Sequence, residues 1–153
     1  MKEEDMSFFS IWQKLFGTKS NQPSATILVV DDSETDRTFI NRLLTKKGYK
    51  ILSAANGQTA LQMAKNFLPD LIVLDYMMPD ISGPEVCKTL KSLPATQNIP
   101  VIFLTSLDTP VSVIECFKEG ADIFLSKPVK TDELLQQIKL SLFVQSSAKK
   151  ESG

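Results

Sequence analysis

The sequence predicts a single α/β domain built on a five-stranded parallel sheet with helices on both faces, and three observations carry that expectation. Three apolar runs, TILVV at 26–30, LIVLD at 71–75 and VIFLT at 101–105, are continuous rather than alternating, as strands covered on both faces are. Segments of helical period separate them, so strand and helix alternate along the chain and the crossovers are right-handed. A length of 153 residues with 42% hydrophobic content suffices for one sizeable core and not for two.

Taken in order, the first strand is followed by ETDRTFINRLLTKKG, which sets Phe39, Ile40, Leu43 and Leu44 on one helical face, with lysines in the last turn and Gly48 as the stop. A second strand is expected at YKILSA, 49–54. Asn56 then offers an N-cap to a helix that turns Ala60, Leu61, Ala64, Phe67 and Leu68 inward. After the strand at 71–75 a third helix starts near Gly83-Pro84, and after the strand at 101–105 a fourth runs over 110–119 and stops at Gly120. The fifth strand is DIFLS, 122–126, and the last helix begins at Thr131 as its cap, with Leu134, Leu135, Ile138 and Leu142 as its core stripe.

Composition removes several function classes. With no histidine, Ser-His and Cys-His nucleophile pairs and histidine metal sites are excluded, and any chemistry falls to carboxylates, lysine and hydroxyls. A net charge of -1, with no helix-turn-helix, zinc finger or arginine-rich segment, speaks against nucleic-acid binding. Cys87 and Cys116 lie in apolar helical patterns and read as buried thiols. No apolar run approaches the roughly 20 residues of a membrane span, and the opening MKEED is acidic where a signal peptide is basic, so a cytoplasmic protein is expected.

In an open parallel sheet, function collects beyond the carboxyl ends of the strands. Here the first strand ends in Asp31-Asp32, the third in Asp75 and the fourth in Thr105-Ser106, while the fifth leads into Lys127-Pro128. Three carboxylates at one edge repel one another, and a hard divalent cation such as Mg²⁺ relieves the repulsion. A lysine and a hydroxyl alongside suit the oxygens of a phosphoryl group, so the constellation points to phosphoryl transfer onto an aspartate. Aspartates after strands also cap helices, so each residue alone has an ordinary structural reading. Asp80, within the turn-forming MMPDISG, is read as structural, and Asp70, Asp108 and Asp122 as surface or turn residues.

The stretches ILVVDDSE, IVLDYMMPDISG, VIFLTS and GADIFLSKPV together resemble the receiver domain of two-component response regulators over residues 26–144. The resemblance implies a flavodoxin-like sheet of strand order 2-1-3-4-5, with Asp75 taking a phosphoryl group from a histidine kinase or phosphotransfer protein. It further implies Mg²⁺ held by Asp32 directly, by Asp31 largely through water, by Asp75 and by the backbone carbonyl of Met77. Thr105 and Lys127 would bind phosphoryl oxygens, and a cis Lys127-Pro128 bond would aim the lysine at the cleft. Phe124 would stand at the aromatic switch position, a plain core role being its alternative, and a downstream protein would read the surface of helix 4, strand 5 and helix 5. Met77 and Leu107 would flank the path of an attacking water, and their apolar character implies slow loss of the phosphoryl group.

The domain itself is expected over 25–145. Ahead of it, SFFSIWQKLFG carries Phe8, Phe9, Ile11, Trp12, Leu15 and Phe16 as one aromatic stripe at helical spacing, joined by the linker GTKSNQPSA, so residues 1–24 form an amphipathic helix and linker. The stripe suits docking on its own domain or on a second copy, a partner's groove, or a membrane surface, the last weakened by few basic residues. Residues 146–153 are expected to be a disordered tail. Two rival readings are an aspartyl-phosphate hydrolase of the haloacid dehalogenase type and a receiver-fold interaction module that is never phosphorylated. The first resembles a pattern that needs a second Asp where this chain has Met77.

Overall fold

The computed structural model describes residues 24–152, so the predicted N-terminal helix lies outside the described residues. Strands β1 (Thr26–Val30), β2 (Lys50–Ala54), β3 (Leu71–Leu74), β4 (Val101–Thr105) and β5 (Ile123–Ser126) alternate with helices α1 (Glu34–Lys46), α2 (Gly57–Phe67), α3 (Gly83–Ser92), α4 (Pro110–Lys118) and α5 (Thr131–Ser152). All neighbouring strands are parallel, in the order β2-β1-β3-β4-β5. That is the expected doubly wound sheet.

Within each continuous apolar run the side chains still alternate between faces. Leu28, Val30, Ile72, Leu74, Val101 and Phe103 meet Ala60, Ala64, Val86, Cys87, Leu90 and Cys116 on one side. Ile27, Val29, Leu71, Val73, Ile102 and Leu104 meet Ile40, Leu44, Leu134, Leu135 and Ile138 on the other. Both layers are apolar, which holds the backbone of β1, β3 and β4 rigid up to their carboxyl ends.

The helix starts follow local chemistry. The side chains of Ser33, Asn56, Ser82 and Thr109 accept N–H bonds from the first turns of α1, α2, α3 and α4. Asp80 has the structural role read from sequence, since its carboxylate accepts the N–H groups of Gly57 (2.9 Å) and Gln58 (2.8 Å) and ties the β3–α3 loop to the start of α2. Asp70 and Asp122 likewise accept the N–H groups that open β1 and β4, from Thr26 (2.8 Å) and Val101 (2.7 Å).

Four expectations change. Phe39 is half exposed and Phe67 and Leu68 are more than half exposed, because in each helix the sheet covers only a narrow stripe, Ile40 and Leu44 in α1, Ala60 and Ala64 in α2. Thr131 is the first helical residue of α5 rather than the residue before it, since the Lys130 carbonyl accepts the Leu134 N–H. Helix α5 also continues to Ser152, past the disordered tail expected from 146. Once a helix is nucleated each further residue adds a hydrogen bond, and Gln, Ala and Lys sustain it.

Cys87 and Cys116 are free and fully buried, and burial pushes their thiols up to about 11 and about 12. Neither presents a thiolate at neutral pH. Iodoacetamide at pH 8 is therefore expected to leave the native protein unmodified and to alkylate both cysteines in guanidinium chloride, as read by intact mass; rapid labelling of the native protein would contradict the buried assignment.

Candidate functional site

The carboxyl ends of β1, β3, β4 and β5 converge on one edge of the sheet, because β1, β3, β4 and β5 are successive neighbours there. Asp31 follows β1 and its backbone N–H is held by the Ala54 carbonyl, while Asp75 follows β3 and its N–H is held by the Val30 carbonyl. Both acidic positions are thus fixed by the strand beside them. Asp31, Asp32 and Asp75 each offer a carboxylate oxygen within 4.8 Å of the others.

Lys127 reaches into this cluster. Its ammonium lies 2.6 Å from Asp31 Oδ2, 2.9 Å from Asp36 Oδ2 and 3.6 Å from Asp75 Oδ2. The Lys127-Pro128 bond is cis, and the Lys127 N–H donates to the Thr105 carbonyl. Thr105 is 2% exposed, and its hydroxyl oxygen accepts the Leu107 N–H at 3.2 Å. Met77 lies two residues past Asp75 on the same loop with its side chain exposed, and Phe124 is half-buried against the α2–α3–α4 layer.

The charges follow from this packing. Burial raises the Asp31 carboxyl; the Lys127 bond and the Ser33 N–H oppose that shift, and the nearby Asp75 adds to it. Burial works against the Lys127 charge, yet its bonds to Asp31 and Asp36 and the field of Asp75 raise it above an ordinary lysine. One carboxylate oxygen of Asp75 accepts the N–H of Tyr76, at 2.8 Å, and the other faces Lys127. Asp75 is therefore an oriented, largely buried carboxylate beside two others and one cation, with hard oxygen donors that fit Mg²⁺.

Two features were not read from the sequence. Asp36 sits in the first turn of α1, where an acidic residue is ordinary helix chemistry, so only the fold shows that it shares Lys127. Gly83 opens α3 directly against the site: a Cβ there would overlap the Asp75 carbonyl oxygen and lie 2.7 Å from the Phe103 ring. The hydroxyl of Tyr76 also donates to the Glu115 carboxylate, linking the loop after β3 to α4.

Comparison with known proteins bears on this geometry. The sequence model of the response regulator receiver domain matches residues 27–139. The chain belongs to the response regulator receiver family. It is 42% identical over 116 residues to the response regulator PleD of Caulobacter vibrioides, covering 76% of this chain and 26% of that protein. The two-component response regulator ORR3 of Oryza sativa is 34% identical over 114 residues, covering 74% of this chain and 87% of ORR3. The chain thus spans about a quarter of PleD and most of ORR3.

Among solved structures, the chemotaxis response regulator CheY4 of Vibrio cholerae superposes with a TM-score of 0.73 at 30% identity, over 77% of this chain and 98% of that one. The receiver domain of a signal transduction histidine kinase from Syntrophus aciditrophicus gives 0.73 at 36% identity, over 78% and 90%. Receiver domains are signalling phosphoacceptors rather than classical enzymes, they interact with histidine kinases and phosphotransfer proteins, and they typically bind Mg²⁺ at an acidic cluster like this one. No described helix is long and apolar enough to cross a membrane.

Proposed function

We propose that this chain acts as a single-domain response regulator: Asp75 accepts a phosphoryl group from a phosphohistidine donor, and the phosphorylated domain signals through protein contacts. The observation that carries the reading is the joint position of Asp31, Asp32, Asp75 and Lys127, three clustered carboxylates with one ammonium among them. Asp31, Asp32, Asp75 and the Met77 carbonyl would hold Mg²⁺, which when bound offsets negative charge between acceptor and phosphoryl group. Asp75 supplies the attacking carboxylate oxygen. Lys127 and the Thr105 hydroxyl then bond the phosphoryl oxygens, and both are drawn toward Asp75.

Thr105 is almost wholly buried, so its movement changes packing near the end of β4, and half-buried Phe124 can turn into the space it leaves. The face made by α4, β5 and α5 is the surface assigned to the downstream partner, and Val111, Ile114 and Phe117 already expose apolar area on α4. Two buried free thiols fit a reducing cytoplasm. The test is incubation with acetyl phosphate and Mg²⁺ followed by intact-mass measurement. Wild type should gain one phosphoryl mass and Asp75→Asn none; an unlabelled wild type, under conditions that label other receivers, would favour the constitutive interaction module instead.

A further inference from the structure

We propose that residues 7–17 of this chain dock as a helix along the outer face of α1 of the same molecule. That face is apolar where the sequence pattern placed core. Phe39 is 50% exposed and Leu43 half-buried, and with Thr35, Thr38, Arg42 and Lys46 they line a groove of about 620 Å³. The segment SFFSIWQKLFG, outside the described residues, carries a matching stripe of Phe8, Phe9, Ile11, Trp12, Leu15 and Phe16. Aromatic side chains bury roughly 150–250 Å² each, so a stripe of this size is strongly favoured to find a cover in water.

The tether permits it. The Ala25 carbonyl accepts the Lys50 N–H at 3.0 Å, so the chain enters the sheet beside the strand that directly follows α1. The residues from Gly17 to Ser24 span at most about 26–29 Å when extended, whereas the 13 residues of α1 measure about 20 Å. The tether is therefore longer than α1 itself.

Charge selects the groove and the direction. The C-terminal half of α1 presents Arg42 and Lys46, and the chain begins MKEED, with Glu3, Glu4 and Asp5 against a single Lys2. An antiparallel docked helix sets those acids beside Arg42 and Lys46 and turns Phe16 toward Glu34. A longer exposed apolar stripe, Val111, Ile114 and Phe117 on α4, is flanked by Glu115 and Glu119 with Lys118 as that helix's one cation, so it offers those acids less positive charge than the paired Arg42 and Lys46.

Trp12 is the only tryptophan, so its fluorescence in the full chain reports this contact alone. Expected are a blue-shifted emission and shielding from acrylamide that persist on dilution of a sedimenting monomer. Both should be lost in Phe39→Asp and in the surface double variant Arg42→Glu/Lys46→Glu, with folding checked by circular dichroism. Shielding should return when Glu3→Lys, Glu4→Lys and Asp5→Lys are added to the double variant, and Ile114→Asp should leave it unchanged. The proposal is overturned if wild-type Trp12 is quenched like free tryptophan amide, if shielding survives both α1 variants, if it disappears on dilution together with a dimer, or if it develops only with anionic vesicles.

Discussion

Lys127→Met is expected to slow phosphoryl uptake from acetyl phosphate by about 10²–10³-fold, the usual loss when one preorganised charged donor is taken from a developing anion. Methionine keeps the length and apolar stem of the side chain and removes only the ammonium. That ammonium is the cation shared by Asp31 at 2.6 Å, Asp36 at 2.9 Å and Asp75 at 3.6 Å. Breaking a buried pair costs about 3–5 kcal/mol, but the Asp36 side opens to solvent, so about 2 kcal/mol is expected in metal-free buffer.

The pH dependence separates this effect from a loss of packing. Lys127 is raised above its ordinary 10.5, so its stabilisation is complete below that value and is lost only as pH climbs through the still higher folded value. The wild type should therefore show no Lys127-linked loss near neutrality. Asp31 is raised by burial, and a raised carboxyl favours folding below its ordinary 3.8 and loses that contribution as pH rises through its folded value. Without Lys127 that loss deepens. The variant should accordingly match wild type most closely in acid and fall behind as the carboxylates ionise, with added Mg²⁺ restoring stability but not rate. Denaturant titrations between about pH 3 and 8 read the difference; a deficit equal at every pH would mean that Lys127 acts by packing, and wild-type labelling would remove it from the site.

The strand-end residues were legible because each stands at a fixed place in a strong local pattern. Four or five apolar residues followed by Asp31-Asp32, Asp75 or Thr105 give both the strand and its exit, and parallel neighbours bring those exits together. Asp36 and Gly83 follow no such pattern. An acidic first-turn residue and a glycine before a proline are both common helix starts, and only tertiary approach turns one toward Lys127 and the other against Asp75. Phe39 shows the same limit from the other side. Helical period gave it a place beside Ile40, but the width of the buried stripe is set by the sheet that α1 lies on.

Gly83→Ala is the second large effect, and its sign decides whether the helix or the site dictates that residue. Gly83 lies at the start of α3, where alanine is intrinsically better in a helix by up to about 1 kcal/mol. Propensity alone predicts a more stable protein. Against it stands the Cβ, which would overlap the Asp75 carbonyl oxygen and meet the Phe103 ring at 2.7 Å and Tyr76 Cα at 3.0 Å. Two of these three neighbours are backbone and the third is a fully buried ring, so none can swing away. Overpacking typically costs about 1–3 kcal/mol, occasionally more, and a backbone clash belongs at the upper end. With the propensity gain subtracted, the expected net loss is about 2 kcal/mol, or roughly 6 °C in Tm.

The shift must be taken up by the β3–α3 loop, which also aims the Asp75 carboxylate through the Tyr76 N–H. Phosphoryl uptake in molecules that remain folded should therefore fall as well. Gly48→Ala is the control: its φ of +94° carries strain, yet nothing lies within 4 Å of the new Cβ. That change should cost about 1–2 kcal/mol and leave uptake unchanged. A Gly83→Ala protein as stable as wild type would show that α3 can slide freely beneath Asp75, and the close approach of helix and acceptor would then have no part in fixing the site.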